Sequence, residues 1–96
     1  MSQQVIVMTD APIDLKPLLE SAIRSELHML ELSLACTTER LHTFEAQYGI
    51  PSEEFIRRFE TRDLDESLDY IEWAGEVKTY HLLRTQQQAL HSVHLQ

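Results

Sequence analysis

The sequence predicts an all-α fold: a long antiparallel helical hairpin with a short connecting helix, dimerising into a four-helix bundle, with a short N-terminal strand or arm ahead of it. Three observations carry this expectation. Only two glycines and three prolines occur in 96 residues, which leaves little turn material. Apolar residues between Ile23 and Tyr48 recur at alternating spacings of four and three. The stretch "YGIPSEEF", residues 48–55, reads as one helix stopping, a corner, and a second helix starting.

The elements follow in order. Val5-Ile6-Val7-Met8 is a β-branched run closed by Asp10 and Pro12, so residues 1–12 are read as an arm or a single short strand. The helical hairpin is assigned to residues 13–96. Asp14 is a candidate N-cap, and Pro17 is compatible only with the first turn, so the first helix starts near it. Its apolar seam is Ile23, Leu27, Leu30, Leu34, Leu41, Phe44 and Tyr48, with Thr37 completing the spacing. This heptad pattern makes Ile23, Leu27, Leu30, Leu34, Leu41 and Phe44 the expected core and dimer seam. Gly49 sits where a helix needs a left-handed residue to stop. Pro51 disfavours helix at Ile50, Ser52 offers an N-cap oxygen, and Glu53 and Glu54 suit the positive end of a new helix.

The second helix is short, carries Phe55, Ile56 and Phe59 on one face, and runs out near Thr61. Asp63-x-x-Glu66 has the form of a capping box, which starts the last helix near Leu64 and carries it into the nineties. Gly75 lies inside that helix at a propensity cost of about 1 kcal/mol, and a close helix crossing would explain it. Met29, Leu32 and Cys36 make a second apolar row on the first helix; Tyr70, Trp73, Val77 and Tyr80 widen the last one. This surplus beyond one stripe per helix is the reason for expecting a homodimer.

Composition narrows the function. Sixteen acidic residues against eight basic ones give a net charge of −8, a poor footprint for direct contact with nucleic acid or an anionic membrane. The single cysteine, Cys36, has no internal partner, which suits a reducing cytoplasm. The opening "MSQQVIVMTDAP" lacks a basic n-region, and its apolar run is too short for a signal peptide. No stretch approaches the ~20 apolar residues of a membrane span. A cytoplasmic protein without a cofactor is expected. There is no phosphate-binding glycine loop, nucleophile elbow or basic recognition helix.

Asp65, Asp69, Glu72 and Glu76 are spaced four, three and four and so share one face of the last helix. From Asp63 to Glu76 there are six acids and no base. Read as a solvated face, the run does nothing; read as a docking face, it binds a basic protein partner, with Tyr70 and Trp73 as aromatic anchors. No metal site is expected. His91-x-x-His94 has one-face spacing without a third ligand, and His28 and His42 are flanked by Glu31 and Glu45 as ordinary exposed helix pairs. The alternative readings are a structural helical scaffold and an enzyme: Arg84 to His91, with six residues between them, resembles the loose Arg-x(4–6)-His signature of HEPN-type ribonucleases, with His91 in acid–base chemistry and Arg84 on a phosphate.

The stretch "RLHTFEAQYGIPSEEFIRRFETRDLDESLDYIEWAGEVKTY", Arg40 to Tyr80, resembles a family of small helical prokaryotic proteins encoded beside toxin genes and regarded as antitoxins. Phe44, Glu45, Tyr48, Gly49, Ser52, Glu53, Glu54, Phe55, Phe59, Asp69, Glu72 and Trp73 match its pattern. Pro51 replaces a serine, Tyr70-Ile71 replaces a phenylalanine pair, and Arg62-Asp63 occupies a loop that carries glycine in the family. The resemblance implies a non-enzymatic antitoxin-like protein whose partner is a toxin. Ribonuclease toxins are basic because their substrate is a polyanion, and an acidic helix face can cover such a surface.

Overall fold

The computed structural model describes residues 2–95. It contains three helices: α1 (Leu15–Tyr48), α2 (Ser52–Glu60) and α3 (Leu68–His91). The long helices α1 and α3 pack against each other, with α2 between them in sequence and in contact with both. The result is a rod of 59 × 26 × 18 Å. Its radius of gyration, 18.6 Å, exceeds the roughly 12–13 Å expected of a compact chain this size.

The start and stop of α1 are both local. Asp14 is the N-cap, its carboxylate accepting from the Lys16 amide at 3.3 Å, and Pro17 sits in the first turn. Gly49, at φ +72°, takes the left-handed conformation, and its N–H returns to the Glu45 carbonyl at 2.8 Å. That single bond from the residue past the end is the simple left-handed cap. Ahead of α1, residues 2–10 are exposed and without regular secondary structure; no strand forms among the described residues, since Val5–Met8 have no neighbouring strand to pair with.

At the corner the structure corrects one expectation. Pro51, not Ser52, is the N-cap of α2, and it has no side chain with which to cap. The Ser52 amide is satisfied from α1 instead: the Glu45 carboxylate accepts from the Ser52 N–H at 2.7 Å. This leaves the Ser52 hydroxyl free to turn inward, where it accepts from the Trp73 indole N–H at 2.9 Å.

The start of α3 is a second correction. The helix begins at Leu68, not near Leu64, and its cap is Ser67, whose hydroxyl accepts from the Tyr70 amide at 3.2 Å. Asp63 is engaged in ending α2. The Asp63 N–H returns to the Arg58 carbonyl at 2.9 Å and the Arg62 N–H to the Phe59 carbonyl at 3.2 Å. Those two bonds define a Schellman motif, with Arg62 at φ +61° in the position that favours glycine. The chain then needs residues 64–67 to reach α3, so Asp65 and Glu66 lie in the connection.

The core gathers at the corner end. Leu41, Phe55, Trp73, Ala74 and Val77 are buried together, with Phe44, Tyr48, Phe59, Tyr70 and Tyr80 packed around them. The Phe55 and Trp73 rings stack face to face at 3.8 Å between centroids, and Phe44 lies nearly parallel to Trp73 at 5.5 Å. Leu30, Leu34 and Thr37 extend the buried seam of α1, whereas Ile23 and Leu27 are only half-buried. The contacts Phe44–Trp73, Tyr48–Asp69 and Arg40–Glu76 fix the antiparallel register. Continued along the rod, that register places His91 level with about Glu26. The first ten or so residues of α1, ~15 Å of helix, therefore extend past α3.

Gly75 does not mark a crossing within the hairpin. A Cβ built there would meet no described atom within 4 Å beyond its own turn of helix. Tyr70, Trp73, Val77 and Tyr80, expected as apolar surplus, belong to the core instead: Phe55 of α2 packs on Tyr70 and Trp73, and Val77 and Tyr80 join the same cluster. No helix of the described residues is long and apolar enough to cross a membrane.

Candidate functional site: an acidic groove between the long helices

Because α3 starts at Leu68, the four-carboxylate face divides. Asp65 is in the exposed connection, while Asp69, Glu72 and Glu76 stand on consecutive turns of α3. Their surroundings then separate them further. Asp69 accepts the Tyr48 hydroxyl hydrogen and a long 3.5 Å bond from the Gln47 amide, so it serves the α1–α3 contact. Hydrogen bonding to Asp69 holds the proton on Tyr48, pushing that phenol up to about 12. Glu72 is exposed and has no ion pair among the described residues.

Glu76 is the unusual one. Its Oε1 meets Arg40 Nη1 at 3.4 Å, a long pair with Arg40 mostly in solvent. Its Oε2 is buried and has no hydrogen-bond donor. A buried acceptor without a donor is costly, more so for a charged group. Glu76 lines a shallow open groove of about 550 Å³ between the long helices, walled by Arg40, Thr43 and Phe44 of α1 and by Glu72, Gly75 and Thr79 of α3. The groove is open over Gly75, where there is no side chain to fill it.

The other anticipated contact residues fall elsewhere. Trp73 is fully buried, so it is a core residue and not an exposed anchor; periodicity alone did not separate the two. Tyr70 is half-buried against Phe55 and Tyr48. Of the α1 seam, Leu30, Leu34 and Leu41 are spent inside the hairpin, with Phe44 half-buried against Trp73. Arg84 and His91 lie seven residues apart on α3, both exposed, and the Arg84 guanidinium donates to the Gln87 side chain at 2.7 Å. No group of three or more His, Cys, Asp or Glu side chains is placed to hold a metal ion among the described residues.

Sequence reasoning missed Arg40 and Gly75 as groove residues and Glu45 as the cap of α2. Each acts on a residue of another element, so spacing along one helix carries no signal for it. Two arginines of α2 converge on one carboxylate: Glu54 accepts from Arg57 and Arg58, which pull it down to about 2. The Glu54 carboxylate is thereby spent within α2. Among the described residues Glu53, Glu60, Asp63, Asp65, Glu66 and Glu72 have no ion pair at this end, and the inner oxygen of Glu76 has no donor. Compared with protein-family models, with characterised proteins and with solved structures, the chain matches none of them.

Proposed function

We propose that the protein is a non-enzymatic interaction module that docks a basic protein partner on the groove lined by Glu72 and Glu76, acting as an antitoxin does on a basic toxin. The observation that carries the reading is the Glu76 carboxylate. One oxygen is weakly engaged by an exposed arginine and the other is buried without a donor, beside an opening made by the absent side chain of Gly75. A lysine or arginine entering over Gly75 would supply the missing donor and pair with Glu72 at the rim. Asp65 and Glu66 extend the negative field beyond the groove and would steer a cationic surface toward it. The resemblance of Arg40 to Tyr80 to antitoxin-like proteins supports the same reading, as does the net charge of −8.

The test is capture from native extract on the immobilised chain, run beside Glu72→Lys and Glu76→Gln. The reading expects one basic protein at stoichiometric yield, lost from both variants. Recovery of no such protein, or equal recovery on all three, overturns it. RNA cleavage without added metal, abolished by His91→Ala, would replace it with the ribonuclease reading through Arg84 and His91.

A further inference from the structure

One face of α3 carries a row of exposed apolar residues, with Thr79 and Gln86 among them, that none of the described residues covers. Leu68, Ile71 and Leu82 are 72%, 54% and 58% exposed. With exposed Gly75 and Ala89 they form a heptad stripe: Leu68, Gly75, Leu82 and Ala89 at intervals of seven, Ile71 beside them. Large and small residues alternate along it. Gly75, at its centre, weakens the helix, yet no contact within the chain requires a glycine.

Charge along α3 and its lead-in is split. Residues 63–76 carry six acids and no base, whereas residues 77–96 carry Lys78, Arg84 and three histidines and no acid. A second α3 laid parallel would set acid on acid. Laid antiparallel, it sets each acidic half on a cationic half.

We propose that this stripe is a homodimer seam, on which a second copy of the chain lays its α3 antiparallel about a twofold axis between Lys78 and Thr79. At that register Leu82 is level with Gly75 of the second copy, and Leu68 with Ala89 of the second copy. Each leucine meets a small residue, and the missing side chain at Gly75 lets the backbones approach. Glu76 is about 100° round the helix from Gly75, on the flank of this seam, but a second copy seated over Gly75 excludes a side chain entering there, so the dimer and the docked partner compete for one face.

The experiment uses the full chain with Cys36→Ser, measured by sedimentation across the micromolar range. A dimer is expected, and Leu82→Glu should weaken it by at least about tenfold. Leu82 is exposed in the single chain, so circular dichroism of this variant should remain helical. Gly75→Ala should raise the melting temperature of the dilute, monomeric chain while weakening association. Spin labels on Thr79→Cys should lie side by side in the dimer, and those on Leu68→Cys about 30 Å apart, given ~1.5 Å per residue. A monomer throughout, a dimer insensitive to Leu82→Glu, or adjacent Leu68→Cys labels would each overturn the proposal. So would disruption by Leu32→Glu alone, which would move the seam to the second apolar row of α1.

Discussion

The indole N–H of Trp73 donates to the Ser52 hydroxyl across 2.9 Å, joining the second turn of α3 to the first residue of α2 beside the fully buried rings of Trp73 and Phe55. Ser52 is available for this because Glu45 has already satisfied its amide. The corner is thereby held by two bonds through one residue, one to each long helix.

Ser52→Ala should destabilise the fold by about 1–3 kcal/mol, because it leaves the indole donor buried without an acceptor. Ser52→Gly would add backbone freedom to that loss. Denaturant melts of both variants check the size and the order. Trp73→Ala, which also empties the centre of the cluster, should cost about 3–5 kcal/mol.

Two left-handed residues make opposite predictions. Gly49 occupies its position without a penalty, and a Cβ there meets no described atom within 4 Å beyond its chain neighbours, so Gly49→Ala suffers only the backbone strain, roughly 1–2 kcal/mol. Arg62 already bears such strain at φ +61°. Arg62→Gly should therefore stabilise the protein, by up to about 1 kcal/mol after the entropy of the unfolded glycine is counted. Thermal melts showing the same sign for both variants would contradict this.

Stability should respond to pH at both extremes. Glu54 is held near 2 in the folded chain by its hydrogen bonds to Arg57 and Arg58, below its ordinary value near 4.5. Its contribution is complete above that ordinary value and is lost as pH falls toward 2. Tyr48 is shifted the other way, from 10.0 to about 12, by the bond to Asp69. Its contribution is complete below pH 10 and is lost as pH rises toward 12. Glu54→Gln should flatten the acid limb of the stability profile, and Tyr48→Phe the alkaline limb, each without affecting the other.

Charge reversal should separate binding from folding. Asp65→Lys with Glu72→Lys touches carboxylates that have no ion pair in the structure, so stability should hold within about 1 kcal/mol. Association with a basic partner should slow, most steeply at low salt, since screening at ~0.15 M limits the reach of these charges to about 8 Å. Asp69→Asn is the contrast: it should cost stability through Tyr48 and leave the association rate nearly unchanged. Stopped-flow mixing at two salt concentrations distinguishes the cases.

The helices were legible where their signals are local. Asp14 and Gly49 bracket α1 correctly because a cap and a left-handed stop act within four residues of themselves. The start of α3 was misread because Asp63-x-x-Glu66 imitates a capping box, while the residue that caps, Ser67, has no partner in that pattern. Ser52 looked like a cap for the same reason, although its two bonds run to Glu45 and Trp73 on other helices. The acidic face was visible as spacing. That Asp69 faces Tyr48, Glu76 faces Arg40 and Glu72 faces solvent depends on the hairpin register, which no spacing within α3 contains.

Trp73 is the only tryptophan, buried at the corner with Phe55 stacked on it and Tyr48 at 5.7 Å. Its emission should be blue-shifted in the native state and fed by energy transfer from the nearby tyrosine. The same placement makes it a one-ended reporter. The far end of the rod, where α1 outruns α3 and burial thins, holds no indole, so fraying there passes unseen by fluorescence while lowering the helical signal. Heating should therefore shift ellipticity before emission, and the gap between the two curves measures how far the rod opens before its corner gives way.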